Sequence, residues 1–156
     1  MNLLLIIIVI LLDQGTKLLT MSTLAINEKI VIIDGFFQFN HVRNYGAAWS
    51  ILENKQFLLI GVAAAIVGVI IYYKKKEPLT KPMSLASDLV LGGAIGNLID
   101  RIRLGNVVDM IDFKFGNFYD YPVFNIADIA VVIGVFIMAY LVLKDKAVVE
   151  GSVDND

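Results

Sequence analysis

Four aspartates stand where an apolar chain has least use for them: Asp13, Asp88, Asp100 and Asp128 lie inside or at the margins of long hydrophobic stretches. On insertion scales an Asp at the centre of a membrane helix costs roughly 2.5 to 3.5 kcal/mol, so four at mid-depth would cost on the order of 10 to 14 kcal/mol. That is too much for a passive anchor, so these side chains are expected near an interface, facing a polar cavity, or both. Asp88, near the start of its stretch, fits the simpler role of a charge favoured by the helix dipole. The others cluster. Asn97, Asp100 and Arg101 stand at i, i+3 and i+4, one helical face, and Asn125 and Asp128 are again three apart. Asp109 lies between the clusters in VVDMIDF.

The chain has no cysteine and a single histidine, His41. Thiol nucleophiles, cysteine-ligated metals and paired-histidine sites are therefore excluded, and neither a metal nor a cofactor is expected. Chemistry must come from carboxylates, amides, hydroxyls, Lys or Arg. Two carboxylates in a partly apolar pocket cannot both ionise comfortably, so they share a proton. The ionised member can then draw a proton from water while the protonated one donates to a carbonyl, which is enough to hydrolyse a peptide bond. Spacing leaves open which two form the pair: Asp100, Asp109, Asp112, Asp120 and Asp128 are all candidates.

The elements that must position these residues are membrane helices. Of 156 residues, 58% are hydrophobic and 18% charged, and the mean hydropathy is +0.74, against about 45 to 50% apolar and about 25% charged for soluble domains. The net charge of -2 gives no basic face for nucleic acid. About 20 apolar residues cross a bilayer core, and four stretches qualify, at approximately 2–24, 56–73, 83–100 and 123–143. Almost nothing precedes the first apolar run, and no basic residue stands there, so either a short first helix or a trimmed chain start is expected. The spans leave 25–55 and 101–122 on one side and both termini on the other. Lys74, Lys75, Lys76 and Lys81 crowd the short second connection, and Lys144 and Lys146 follow the last span, which makes that side cytoplasmic by lysine placement. KIVIIDGFFQFNHV predicts a hairpin about Asp34-Gly35. The aromatic-rich segment 105–122 predicts an element lying at the membrane surface, and the tail after Asp145 is expected to be loose. With this topology Asp13, Arg101, Asp109 and Asp128 converge on one membrane face as a polar pocket.

Four blocks, DQGTK at 13–17, NYGAAWS at 44–50, GGAIGNLIDRIRLGNVVDMID at 92–112 and FNIAD at 124–128, occur in an order and spacing that resembles the lipoprotein signal peptidases (signal peptidase II), bacterial membrane aspartic peptidases. The resemblance covers nearly the whole chain, as one integral membrane peptidase domain. It implies four transmembrane helices with a small extracytoplasmic β-cradle and a surface helix. It also implies a catalytic dyad of Asp109 and Asp128, and supporting or substrate-positioning roles for Asp13, Lys17, Asn44, Asn97, Asp100, Arg101 and Asn125. The implied substrate is a prolipoprotein whose cysteine carries a diacylglyceryl group, cleaved on the amino side of that cysteine by a monomeric enzyme of the bacterial cytoplasmic membrane. Met110 stands where the family commonly has an aromatic, and a flexible apolar side chain is an adequate substitute there.

Other residues carry simpler expectations. Arg101 is expected to pair with Asp100, and Lys17 either to tune the dyad or to neutralise Asp13 one turn away. His41 is expected at the surface or beside substrate, and Trp49 as an interface anchor. Gly46, Ala47, Ala48, Gly92, Gly93 and Gly96 could open a substrate groove or serve close packing. The competing reading is a small transporter or proton conductor, since intramembrane carboxylates also mark ion pathways. It is disfavoured because the acidic residues gather at one surface and the second span carries no polar relay.

Overall fold

In a computed structural model the described residues are 1–46, 55–116 and 118–149. Trp49, Ala47 and Ala48 fall outside them. Four helices form the bundle: α1 (Leu3–Thr23), α2 (Gln56–Lys76), α3 (Lys81–Leu104) and α4 (Ile126–Leu143). At about 1.5 Å per residue the shortest is roughly 27 Å long, enough for a hydrocarbon core of about 30 Å with its flanks. All four are long and apolar enough to cross a membrane. The first helix is not short: it runs 21 residues, with Asn2 accepting a hydrogen bond from Leu5 N as its cap.

The bundle is built inside-out. On α1 the buried residues are Ile6, Val9, Asp13, Lys17 and Thr20, a stripe at three- and four-residue spacing. The leucines and isoleucines of the other faces point outward. Lipid makes that arrangement favourable, because outward apolar surface costs nothing there and polar groups must find partners within the protein. α3 is the central helix, packed against α1, α2 and α4. Small residues allow the approach: a Cβ on Gly92 would meet Val9 on α1, one on Gly93 the Ala127 carbonyl on α4, and one on Gly96 the Asp13 carboxylate. These three glycines serve close packing, not a groove.

The two connections at one end of the bundle make a single antiparallel sheet of β1 (Lys29–Ile33), β2 (Phe37–Asn44), β3 (Val107–Phe115) and β4 (Tyr119–Asp120), in that order. Gly35 takes the turn of the first hairpin with φ +67°, a conformation that a side chain would resist. The aromatic segment 105–122 is thus largely strand. Its alternating phenylalanines pack on the hairpin, Phe113 against Phe37 with centroids 5.0 Å apart. The described residues hold no helix beyond the four. β2 pairs with β3, which ties the α1–α2 connection to the α3–α4 connection.

At the opposite end, two expectations give way. The tail is pinned through residue 149, with Thr80 N donating to Ala147 O at 3.0 Å and Val149 N to Pro78 O at 2.9 Å. Asp88 does more than answer the helix dipole. It is fully buried, 3.0 Å from Lys74 Nζ, and accepts from Asn2 N at 2.8 Å. Burial is tolerated because the cation is buried with it, so Lys74 is turned inward as a clasp between α2 and α3.

Candidate active site

α3 ends at Gly105, whose φ of +72° lets the chain leave the helix. The backbone turns directly into β3, which carries Asp109. α4 begins with Asn125 as N-cap in a reciprocal box: Asp128 N donates to Asn125 Oδ1 at 2.9 Å and Asn125 N to Asp128 Oδ2 at 3.2 Å. The cap that starts α4 therefore also sets the Asp128 carboxylate.

Asn125 joins the two acids. Its Nδ2 donates to Asp109 Oδ1 at 2.6 Å while its backbone holds Asp128. Asp109 Oδ2 accepts from Asn44 Nδ2 on β2 at 2.9 Å. Asn97 on α3 donates from Nδ2 to Asp128 Oδ1 at 2.8 Å, and its own Oδ1 accepts from Lys17 Nζ at 2.9 Å and Asn125 Nδ2 at 3.1 Å. Those two donors leave Asn97 one orientation, with its NH2 toward Asp128. Asp109 is 2% exposed. Burial first, and the charge of Asp128 second, push its carboxyl up to about 7, against the pull of the Asn44 and Asn125 donors.

Behind the acids lies a buried charge cluster. Lys17 Nζ is 2.8 Å from Asp13 Oδ2 and 2.9 Å from Asp100 Oδ2, all three side chains fully buried. Lys17 thus neutralises Asp13 and also reaches Asn97. Asp13 Oδ1 accepts from Ala127 N at 3.0 Å, an otherwise unpaired N–H in the first turn of α4. Asp100 Oδ2 accepts from Val108 N at 3.2 Å, beside Asp109. One cluster therefore ties α1 and α3 to the two backbone segments that present the acids. Gln14 completes it, donating to Asp100 Oδ1 at 2.9 Å, Gly96 O at 3.2 Å and Asp13 Oδ2 at 3.2 Å. Sequence reasoning passed over Gln14, although its place in DQGTK was the available signal.

Arg101 does not pair with Asp100, which faces Lys17. Arg101 Nη2 donates to Gly46 O at 3.1 Å, and its charge acts on Asp128, Asp109 and Asp100 through space. His41 is buried, with Nδ1 2.9 Å from Leu24 O, because the strand enters the sheet under the end of α1. The remaining pair candidates are engaged elsewhere. Asp112 is buried with Gln38 and Asn40, accepting from both, and Asp120 pairs with Lys114 at 2.9 Å near the surface. Among the described residues no group of three or more His, Cys, Asp or Glu is arranged to hold a metal. A cavity of about 380 Å³, with Phe113, Phe124 and Ile129 in its walls, opens onto Asp128.

Two amide-held carboxylates, one buried and one reachable from a cavity, at the end of a bundle built for lipid, outline a membrane aspartic peptidase. The family model for signal peptidase (SPase) II matches residues 5–144. The lipoprotein signal peptidase of Enterococcus faecalis is 46% identical over 143 residues, covering 90% of this chain and 86% of that one. That of Clostridium novyi is 42% identical over 146 residues, covering 93% and 99%. A solved bacterial membrane enzyme structure superposes with a TM-score of 0.85 at 35% identity, covering 99% of this chain and 92% of that one. A second superposes at 0.82 and 37%, covering 92% of each. The chain belongs to the signal peptidase II family.

Proposed function

We propose that this multi-pass membrane peptidase removes the signal peptide from diacylglyceryl-modified prolipoproteins, cleaving on the amino side of the lipidated cysteine with Asp109 and Asp128. The observation that carries this is Asn125, one residue that holds both acids while three other candidate carboxylates are occupied elsewhere. Asp109, with its carboxyl near 7, carries the shared proton. Asp128 takes a proton from water, the water oxygen bonds to the scissile carbonyl carbon, and Asp109 protonates the carbonyl oxygen. Collapse returns that proton to Asp109 as the C–N bond breaks, and Asp128 passes its proton to the cysteine nitrogen, so the pair ends as it began.

Lysine placement supports cytoplasmic termini and a site near the extracytoplasmic surface of a bacterial cytoplasmic membrane. There a lipid-anchored substrate holds its scissile bond at a fixed depth, which supplies much of the positioning. Buried charges lie at both ends of the bundle, Asp88 with Lys74 at one and Asp13, Lys17 and Asp100 at the other, but the residues buried between them on α1 and α3 include the apolar Ile6, Val9, Val90 and Leu91, which favours the peptidase reading over an ion pathway. The test is incubation of the purified chain with a diacylglyceryl-modified precursor and its unlipidated form. Cleavage of the first alone is expected, unaffected by chelators and abolished in Asp109→Asn and Asp128→Asn with folding retained. Cleavage surviving in either variant removes that residue from the dyad, and zinc-dependent activity refutes the mechanism.

A further inference from the structure

At the end of the bundle opposite the two acids, distant parts of the chain bring lysines together. Thr80 Oγ1 donates to Lys146 O at 2.8 Å and Thr80 N to Ala147 O at 3.0 Å, so the segment carrying Lys144 and Lys146 is folded against the start of α3, where Lys81 stands. Lys74 is engaged inward with Asp88. Lys75, Lys76, Lys81, Lys144 and Lys146 are all exposed, and none of them forms an ion pair with a described residue. Glu77 and Asp145 are the carboxylates of these described segments. The face therefore keeps a positive excess.

An apolar groove starts at the same place. A cavity of about 430 Å³ lies between the first turn of α3 and the last turns of α4, with Met83, Val135, Met138, Ala139, Val142 and Leu143 in its walls. From Val135 to Leu143 it follows α4 for about 12 Å. Lys81 stands two residues before Met83, and Lys144 directly follows Leu143, so cations rim one end of a wholly apolar wall. A peptide lying there would leave its N–H and C=O groups without partners, at a cost that a hydrocarbon chain avoids. We propose that groove and rim together seat an anionic phospholipid, its acyl chain against Met83 and Val142 and its phosphodiester among Lys81, Lys144 and Lys146. Charge complementarity selects an anionic headgroup over a zwitterionic one. Such a lipid holds the ends of α3 and α4 at headgroup depth, and the site stands whether or not the peptidase reading does.

The test is native mass spectrometry of the full chain in non-ionic detergent, with equal amounts of phosphatidylglycerol and phosphatidylcholine of identical acyl chains. Phosphatidylglycerol is expected to be retained at least about tenfold more. Replacing Lys81, Lys144 and Lys146 together by Gln is expected to bring that ratio to within about twofold. The control is Lys29→Gln with Lys55→Gln, exposed positions at the other end of the bundle, and it is expected to keep the preference. Equal loss in both sets attributes the preference to net charge and overturns the site, as does a native protein without preference. Ala139→Trp, at an exposed position, fills the groove and leaves the lysines in place. It is expected to lower phosphatidylglycerol retention at least about fivefold, and unchanged retention overturns the acyl seat. Glycerol phosphate at the same concentration is expected to displace none of the lipid. Displacement would make this a site for a soluble anion and overturn the lipid assignment.

Discussion

The role proposed for Asp109 rests on its burial, where a negative charge is poorly solvated. Its carboxyl at about 7 sets a direction for pH dependence. Below that value the pair holds its proton, and as pH rises through it both acids become anionic and the donor to the carbonyl is lost. kcat/KM is therefore expected to fall above about pH 7, approaching tenfold per pH unit, as measured on the lipidated precursor with protein integrity checked at each pH. Lys17 makes a second case. Among the described residues it is the only cation in contact with the buried Asp13 and Asp100 carboxylates, so Lys17→Met leaves two charges buried without compensation. A loss of roughly 3 to 5 kcal/mol is expected, visible as a depressed Tm in detergent, together with reduced activity because Asn97 loses one of the two donors that orient it. An unchanged Tm would show that the cluster is neutral in the native state.

Among the elements, the helix contacts decide how the acids meet. Gly93 lies where an added Cβ runs into the backbone carbonyl of Ala127, two residues from Asn125. Backbone cannot give way like a flexible side chain, so Gly93→Ala is expected to push the start of α4 outward. The expected cost is about 1 to 3 kcal/mol, with a loss of activity beyond what the stability change explains. Gly61→Ala on α2, where nothing lies within 4 Å, is the control and is expected to leave Tm and activity unchanged. The four spans and the first hairpin are legible in the sequence because each is a local pattern: an apolar run, or β-rich residues about Asp34-Gly35. The strand character of 107–115 is not, because it depends on pairing with β2, about 70 residues distant in the chain.

For the whole molecule, the α2–α3 connection and the pinned tail lie at one end of the bundle and the sheet at the other. The absence of cysteine makes a clean topology test. A single cysteine at exposed Lys75 is expected to react with an impermeant thiol reagent only after cells are opened, and one at exposed Lys29 in intact cells. The reverse pattern overturns the orientation. Membrane placement also explains the inverted burial, since a chain with Leu and Ile outward and an Asp–Lys–Asp cluster inward gains from lipid what a soluble fold gains from its core.

Composition and spacing alone determined that four stretches are long and apolar enough to span a membrane, that thiols and paired histidines have no part in the chemistry, and that Asn97 and Asp100 share a helix face, because composition, hydropathy and helical period are properties of the local chain. Only the tertiary structure decided partners. It gave Asp100 to Lys17 in place of Arg101, buried Asp88 against Lys74, withdrew Asp112 to Gln38 and Asn40, and gathered Asp109 and Asp128 around Asn125. The physical reason is that a charge buried away from water takes whatever compensating group the packing of distant elements brings within about 3 Å, and no local spacing encodes that choice.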